Sequence, residues 1–228
     1  MKTKELAKIV LKIIQNDEKD DIIKFISDNL EKDLQLPKAL VSIQIQLKEI
    51  GGGYPPVGKQ VETIDEIIDF TELAVTTVLE MEDKLTAGIL YHNQASFCFP
   101  NMDDGVDVRL IEPGYSAAIR DYEIRKEIGK KGPMLWAKWL VGISEFIKGD
   151  VDQALETLEE TAKLANEEPV ERDIDTWTRM MIAKFYLKSN PDKRDLAFEM
   201  LEEILAEFNA LMDNYGLETV QNIIKTYF

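Results

Sequence analysis

Two residues of the chain have the chemistry of a nucleophile and its base, Cys98 and His92, and each type occurs once. A thiol activated by a neighbouring imidazole is a common arrangement for covalent catalysis. The two residues are six positions apart, which points them to different sides of a helix with about 3.6 residues per turn. The spacing therefore disfavours a Cys–His pair. A lone histidine among apolar residues is more typical of packing or hydrogen bonding than of catalysis.

An acidic run at positions 102–107 invites comparison with a calcium-binding loop. It lacks the alternating oxygen ligands, the glycine position and the closing glutamate of an EF-hand, so a solvated acidic turn is favoured. The sequence also shows no glycine-rich phosphate loop, no serine nucleophile elbow and no zinc-type spacing. We therefore expect no catalytic residues, no cofactor-binding residues and no metal ligands.

The charge balance bears on the class of partner. The chain has 27 Lys+Arg against 43 Asp+Glu, a formal net charge of −16, and such a field repels nucleic-acid phosphate and anionic lipid. A basic protein or peptide is the natural complement, although solubility alone also accounts for the charge. No apolar run approaches the roughly 20 residues of a membrane span. A single cysteine fits a reducing compartment, so we expect a cytoplasmic protein without nucleic-acid or membrane partners.

The elements that must position these side chains have helical periodicity. Residues 1–50 form an N-terminal helical segment, in which Leu6, Val10 and Ile14 share one face and Pro37 suits the first turn of a helix. Positions 41–47 are ambiguous, because their apolar residues also alternate as in a strand. We favour a helix there, since a single strand would lack a partner.

Residues 51–61, GGGYPPVGKQV, are the clearest irregular segment and are interpreted as a connector or hinge. Thr63 and Glu66 after it match a capping box, in which each side chain accepts a hydrogen bond from a backbone N–H at the start of a helix. A helix with an inward apolar face is predicted to follow.

A short pattern recurs in the second half of the chain. Residues 134–165 place small residues at Gly142 and Ala154, a turn at Gly149 and a large apolar residue at Leu158. This spacing resembles the tetratricopeptide repeat (TPR), an antiparallel helix pair that stacks into a solenoid. The resemblance implies an all-α fold, a right-handed α–α superhelix over residues 62–212, with extra N-terminal helices and a C-terminal capping helix at 213–228.

Two further helix pairs are predicted around this one. The first contains Ala95 and Ala118 and is stretched by residues 99–114, which we expect to protrude as a loop or short extra turn. The second contains Met181 and Ala197. The capping helix has an apolar stripe, which is expected to cover the last repeat or to pair with a second copy of the chain as a homodimer. The stripe comprises Leu217, Val220, Ile224 and Tyr227.

The resemblance implies a function of binding and no catalysis. In TPR proteins the first helix of each pair lines the groove that holds a ligand, and the corresponding candidates here are Tyr91, Asn93, Lys138 and Trp177. We therefore predict a scaffold that binds a protein or peptide. The alternative is a regulatory domain that senses a small molecule or signal peptide through movement of 51–61 or 99–114. An all-helical enzyme is a third possibility.

Overall fold

The computed structural model describes residues 1–55, 59–100, 102, 105–167 and 172–228. Most of the described residues are helical and none of them lies in a β-strand, so the all-α prediction is confirmed. The chain forms two compact units, Met1–Lys130 and Lys131–Phe228. Each consists of helices that pack mainly on their neighbours in sequence, which is compatible with a helical repeat. No helix in the described residues is long and apolar enough to span a bilayer.

The described residues of the first unit form six α-helices, and the preference for a helix at positions 41–47 is confirmed. The helices are α1 (Thr3–Gln15), α2 (Ile22–Asn29), α3 (Leu36–Ile50), α4 (Ile64–Glu80), α5 (Lys84–Cys98) and α6 (Val108–Ile128). Helix α1 buries Leu6, Val10 and Ile14 against α3 and α4, as the periodicity predicts. The predicted connector, residues 51–61, joins α3 to α4, and its positions 56–58 lie outside the described residues.

The predicted capping box at the start of α4 is wrong in its hydrogen bonds. Thr63 is the N-cap residue, but its side chain makes no cap bond. Instead its buried hydroxyl donates to the Leu47 carbonyl in the last turn of α3, at 2.7 Å. The same carbonyl also accepts a hydrogen bond from the Gly51 N–H at 3.0 Å, so the hydroxyl is its second donor. The contact therefore ties the end of α3 to the start of α4.

The segment 99–114 is only partly a loop. Helix α6 begins at Val108, where the Asp107 side chain accepts a hydrogen bond from the Arg109 N–H at 3.0 Å. Phe99 is fully buried and lies directly against Gly114, so the segment folds back onto α5. Within the predicted acidic turn at 102–107, positions 103 and 104 lie outside the described residues.

In the part of the second unit that the structure describes, five α-helices pack in chain order. They are α7 (Lys131–Lys148), α8 (Val151–Asn166), α9 (Arg172–Ser189), α10 (Arg194–Leu211) and α11 (Asn214–Tyr227). Beyond neighbour packing, α7 contacts α9 and α9 contacts α11. The turn between α7 and α8 requires a left-handed residue, and Gly149 supplies it with φ +99°. Ala154 and Leu158 of α8 are fully buried.

Helix α11 packs on α9 and α10 through a face slightly rotated from the predicted stripe. Its buried residues are Gly216, Val220 and Ile223, while Leu217 and Ile224 are half-buried. The rotation follows from close packing at Gly216, where an added Cβ atom would lie 2.5 Å from the Phe208 ring of α10. The small residue decides which side of α11 approaches α10.

Candidate functional site

The predicted groove residues of the first unit, Tyr91 and Asn93, are both hydrogen-bonded within that unit. The Tyr91 ring is buried, and its hydroxyl accepts a hydrogen bond from Arg120 Nη1 at 2.8 Å. Burial raises the pKa of Tyr91 above its usual value. Asn93 is half-buried, and its Nδ2 donates to Gln44 Oε1 at 3.0 Å.

Asn93 belongs to a polar network inside the first unit. Gln44 of α3 is fully buried, and its Nε2 donates to Thr71 Oγ1 at 2.7 Å and to the Leu90 carbonyl at 2.9 Å. The network links α3, α4 and α5. Buried amides and hydroxyls that find partners in this way fix the positions of the helices that carry them.

The predicted groove residues of the second unit, Lys138 and Trp177, also contact neighbouring helices. Lys138 of α7 is buried, and its ammonium group pairs with Glu160 of α8. Trp177 of α9 is half-buried, with its ring centroid 5.1 Å from that of Phe208 and 5.7 Å from that of Tyr215. Both residues therefore hold helices together, and only part of Trp177 faces solvent.

A cleft in the second unit lies beside Trp177, at Thr176. It has a volume of about 570 Å³ and lies where the last turns of α8 and α10 meet the first two turns of α9. The described residues that line it are Ala165, Asn166, Asp175, Thr176, Arg179, Glu207, Ala210 and Leu211. Sequence analysis did not single out any of these, because they come from three helices and only folding brings them together.

Arg179 is the centre of the hydrogen bonding in the cleft. Its Nε donates to Asp175 Oδ2 at 2.8 Å, and its Nη2 donates to Glu207 Oε2 at 2.5 Å. Thr176 Oγ1 also donates to Glu207 Oε2, at 2.9 Å, and Asn166 Nδ2 donates to Asp175 Oδ1 at 3.0 Å. The polar groups are thus fixed in position before any ligand arrives, which reduces the entropy lost on binding.

An apolar corner adjoins the cleft where α10 turns into α11. Leu211, which lines the cleft, is 46% exposed, Met212 is 84% exposed and Tyr215 is 72% exposed. Three large apolar side chains that are exposed together mark a site of interaction more often than three scattered ones. We call these three residues the apolar corner.

A second polar cluster, in the first unit, accounts for the single histidine. His92 Nδ1 lies 2.8 Å from Oδ2 of the fully buried Asp121, and Arg125 Nε donates to Oδ1 of the same carboxylate at 2.5 Å. A buried carboxylate also orients the histidine of catalytic triads. Cys98, the nucleophile considered with His92 from the sequence, is unsuited, since burial raises its pKa to about 12 and favours the protonated thiol.

Among the described residues, no group of three or more His, Cys, Asp or Glu side chains is arranged to hold a metal ion. The cleft with its apolar corner is the candidate site, and its lining offers hydrogen bonding, charge and apolar contact. Neither a protein-family model nor a curated protein matches this chain.

Proposed function

We propose that this chain is a TPR-like helical-repeat protein that binds a segment of another protein, without catalysis, in the cleft of its second unit. The main support for the proposal is the cleft itself. Its volume of about 570 Å³ falls in the range of roughly 300–1,000 Å³ that is usual for ligand sites. Its lining comes from three helices, and sites built on helices are more precise than sites on loops.

The helix order supports the TPR-like part of the proposal. In a stack of helix pairs the first helices of successive pairs lie side by side, and α7 contacts α9 in the second unit. Helix α11 contacts both helices of the last pair, as a capping helix does. We propose that successive helix pairs stacked in this way form a right-handed superhelix.

The composition of the site favours a peptide over a small metabolite. A protein interface combines exposed aromatic or methionine anchors with a polar rim. Here Met212 and Tyr215 supply the anchors, while Arg179 and Glu207 supply the rim. A sensor of small molecules would instead enclose its ligand in a largely apolar pocket.

The experiment uses a random peptide library displayed on phage and selected on the full-length protein. Each selected peptide is then tested against two variants, Ala210→Trp and Asn209→Trp. Both residues are exposed on α10, but only Ala210 lines the cleft. Each variant therefore adds one indole to the exposed surface of the same helix, and only Ala210→Trp fills the site.

We expect Ala210→Trp to weaken binding of the selected peptides by about tenfold or more, because the indole occupies the volume that a ligand side chain would need. Asn209→Trp is expected to leave the affinity within about threefold of the wild type. Circular dichroism of both variants checks that the helices are intact. Equal affinities of the two variants for every selected peptide would contradict the proposal.

A further inference from the structure

The charges around the cleft favour a ligand with a positive charge. Residues 131–228 contain 11 Lys+Arg and 19 Asp+Glu, a formal net charge of −8. Within the described lining, Arg179 is balanced against two carboxylates, Asp175 and Glu207. The side chain of Glu207 is 42% exposed, so it presents the surplus negative charge to solvent.

The helix ends at the cleft add to this negative potential. Helix α8 ends at Asn166 and α10 ends at Leu211, and both residues line the cleft. The last carbonyl groups of a helix carry a partial negative charge, which favours a cation. Helix α9 begins at the same end, but Asp173 and Asp175 in its first turn offset its partial positive charge.

A row of glutamates on α10 extends the acidic surface away from the cleft. Glu199, Glu203 and Glu207 are four residues apart and therefore follow one side of the helix. Glu199 and Glu203 are exposed. The row is about 12 Å long, at about 1.5 Å of rise per residue. A ligand with several cations spaced over two helical turns would match it.

In the apolar corner, at the end of this row, Met212 has a backbone conformation that methionine rarely adopts. Met212 has φ +56°, a left-handed conformation that glycine or asparagine usually supplies after a helix. A methionine there is disfavoured, and 84% of it is exposed, so it gains little from burial. Such local conflicts concentrate at functional positions. Flexible methionine and rigid tyrosine are side chains that peptide-binding surfaces favour.

From this juxtaposition we propose that the second unit binds a basic amphipathic segment of a partner protein. Apolar side chains of the segment contact Leu211, Met212 and Tyr215, and its lysines or arginines contact Glu203 and Glu207. The inference rests on the proposed function, since the site is the same, and adds the chemical class of the ligand.

The test uses two synthetic helical peptides of about 14 residues, long enough to extend from Glu199 to Met212. Both carry the same leucine face, and the polar face is lysine in one and glutamate in the other. Fluorescence anisotropy measures binding of each labelled peptide to the full-length protein. We expect saturable binding of the lysine peptide alone. Its affinity should fall about tenfold between roughly 50 and 500 mM salt, because salt screens the charges.

Three variants test which residues contact the lysine peptide. Glu203→Lys and Glu202→Lys change the net charge equally at adjacent exposed positions, but only Glu203 belongs to the acidic row. We expect Glu203→Lys to weaken the lysine peptide about tenfold and Glu202→Lys to weaken it less than about threefold. Met212→Gly should weaken it about tenfold, while the fold is retained because glycine suits the left-handed conformation.

Three results would overturn the inference. They are equal binding of the two peptides, equal effects of Glu203→Lys and Glu202→Lys, and self-association of the protein that Met212→Gly abolishes while the lysine peptide is unaffected. The last would assign the corner to a dimer contact. If the display selection returns cleft-dependent peptides that are not basic, the proposed function stands and only this inference fails.

Discussion

Gly142 of α7 lies directly against Leu158 of α8. A Cβ atom added to Gly142 would lie 2.8 Å from Leu158 Cγ and 3.4 Å from the carbonyl oxygen of Ala154. The two helices approach closely at this point because one of them has no side chain there. The same three residues form the spacing that predicts a helix pair from the sequence, so the pattern and the packing have one cause.

Replacing Gly142 with leucine should therefore destabilise the protein. The added side chain has no space beside Leu158, and overpacking of this kind costs about 1–3 kcal/mol. Chemical denaturation measures the free energy of unfolding. Ala206→Leu adds the same type of side chain at an exposed position of α10 and should change stability by less than about 0.5 kcal/mol. Similar stabilities of the two variants would mean that α7 and α8 are not packed at Gly142.

How well the fold can be predicted depends on how far apart along the chain the contacting residues lie. The helices were predictable because a buried face repeats every three or four residues, and Leu6, Val10 and Ile14 show this in α1. The close contact at Gly142 was also predictable, since a glycine and an alanine at repeat spacing indicate a helix crossing.

The candidate site was not predictable in the same way. Arg179 and Glu207 are 28 residues apart, and His92 and Asp121 are 29 apart, so each pair meets only when two helices pack in one register. The Thr63 hydroxyl likewise bonds to α3, because burial beside the end of another helix outweighs its local capping pattern. Which helices pack on each other is settled by the tertiary structure. The apolar periodicity of a single helix does not contain this information.

The buried cluster around Asp121 gives a second prediction. Asp121→Ala removes the carboxylate that faces Arg125 and His92, and an unpaired buried cation costs about 3–5 kcal/mol. The matched variant is Glu127→Ala, also on α6, which breaks the exposed pair with Lys84 and should cost no more than about 1 kcal/mol. Urea denaturation of both variants measures the difference. Equal costs would show that the Asp121 cluster adds no more than a surface pair.

Glu145 gives a prediction about pH. Burial raises the pKa of this carboxyl, and the charges of Asp150 and Glu156 raise it further against the opposing hydrogen bond from Thr157. The folded state thus favours the protonated form, so the stability from this group is present below the ordinary carboxyl pKa and is lost as pH rises above it.

Glu145→Gln should accordingly stabilise the protein at neutral pH, because glutamine stays uncharged. The gain in the free energy of unfolding over the wild type should be small near pH 4 and should grow as pH rises. Denaturation series at several pH values measure this gain. A gain that is independent of pH, or that shrinks as pH rises, would show that the carboxylate is not penalised in the fold.

Cys98 gives a prediction about reactivity. It is fully buried, and its pKa of about 12 leaves almost no thiolate near neutral pH. An aromatic disulfide reagent should therefore modify the native protein only as fast as the first unit opens, and the denatured protein at once. Absorbance of the released thiol reports the rate. Complete modification within seconds under native conditions would mean that Cys98 is accessible.

Mapping of a bound peptide by backbone amide NMR on the full-length protein shows whether the cleft of the second unit is the binding site. A peptide selected from the display library is added, and shifts of the amide signals are followed. We expect the largest shifts at Asn166, Thr176, Arg179 and Leu211, the residues at which α8, α9 and α10 meet. Shifts confined to Met1–Lys130, or spread evenly over the second unit, would contradict it.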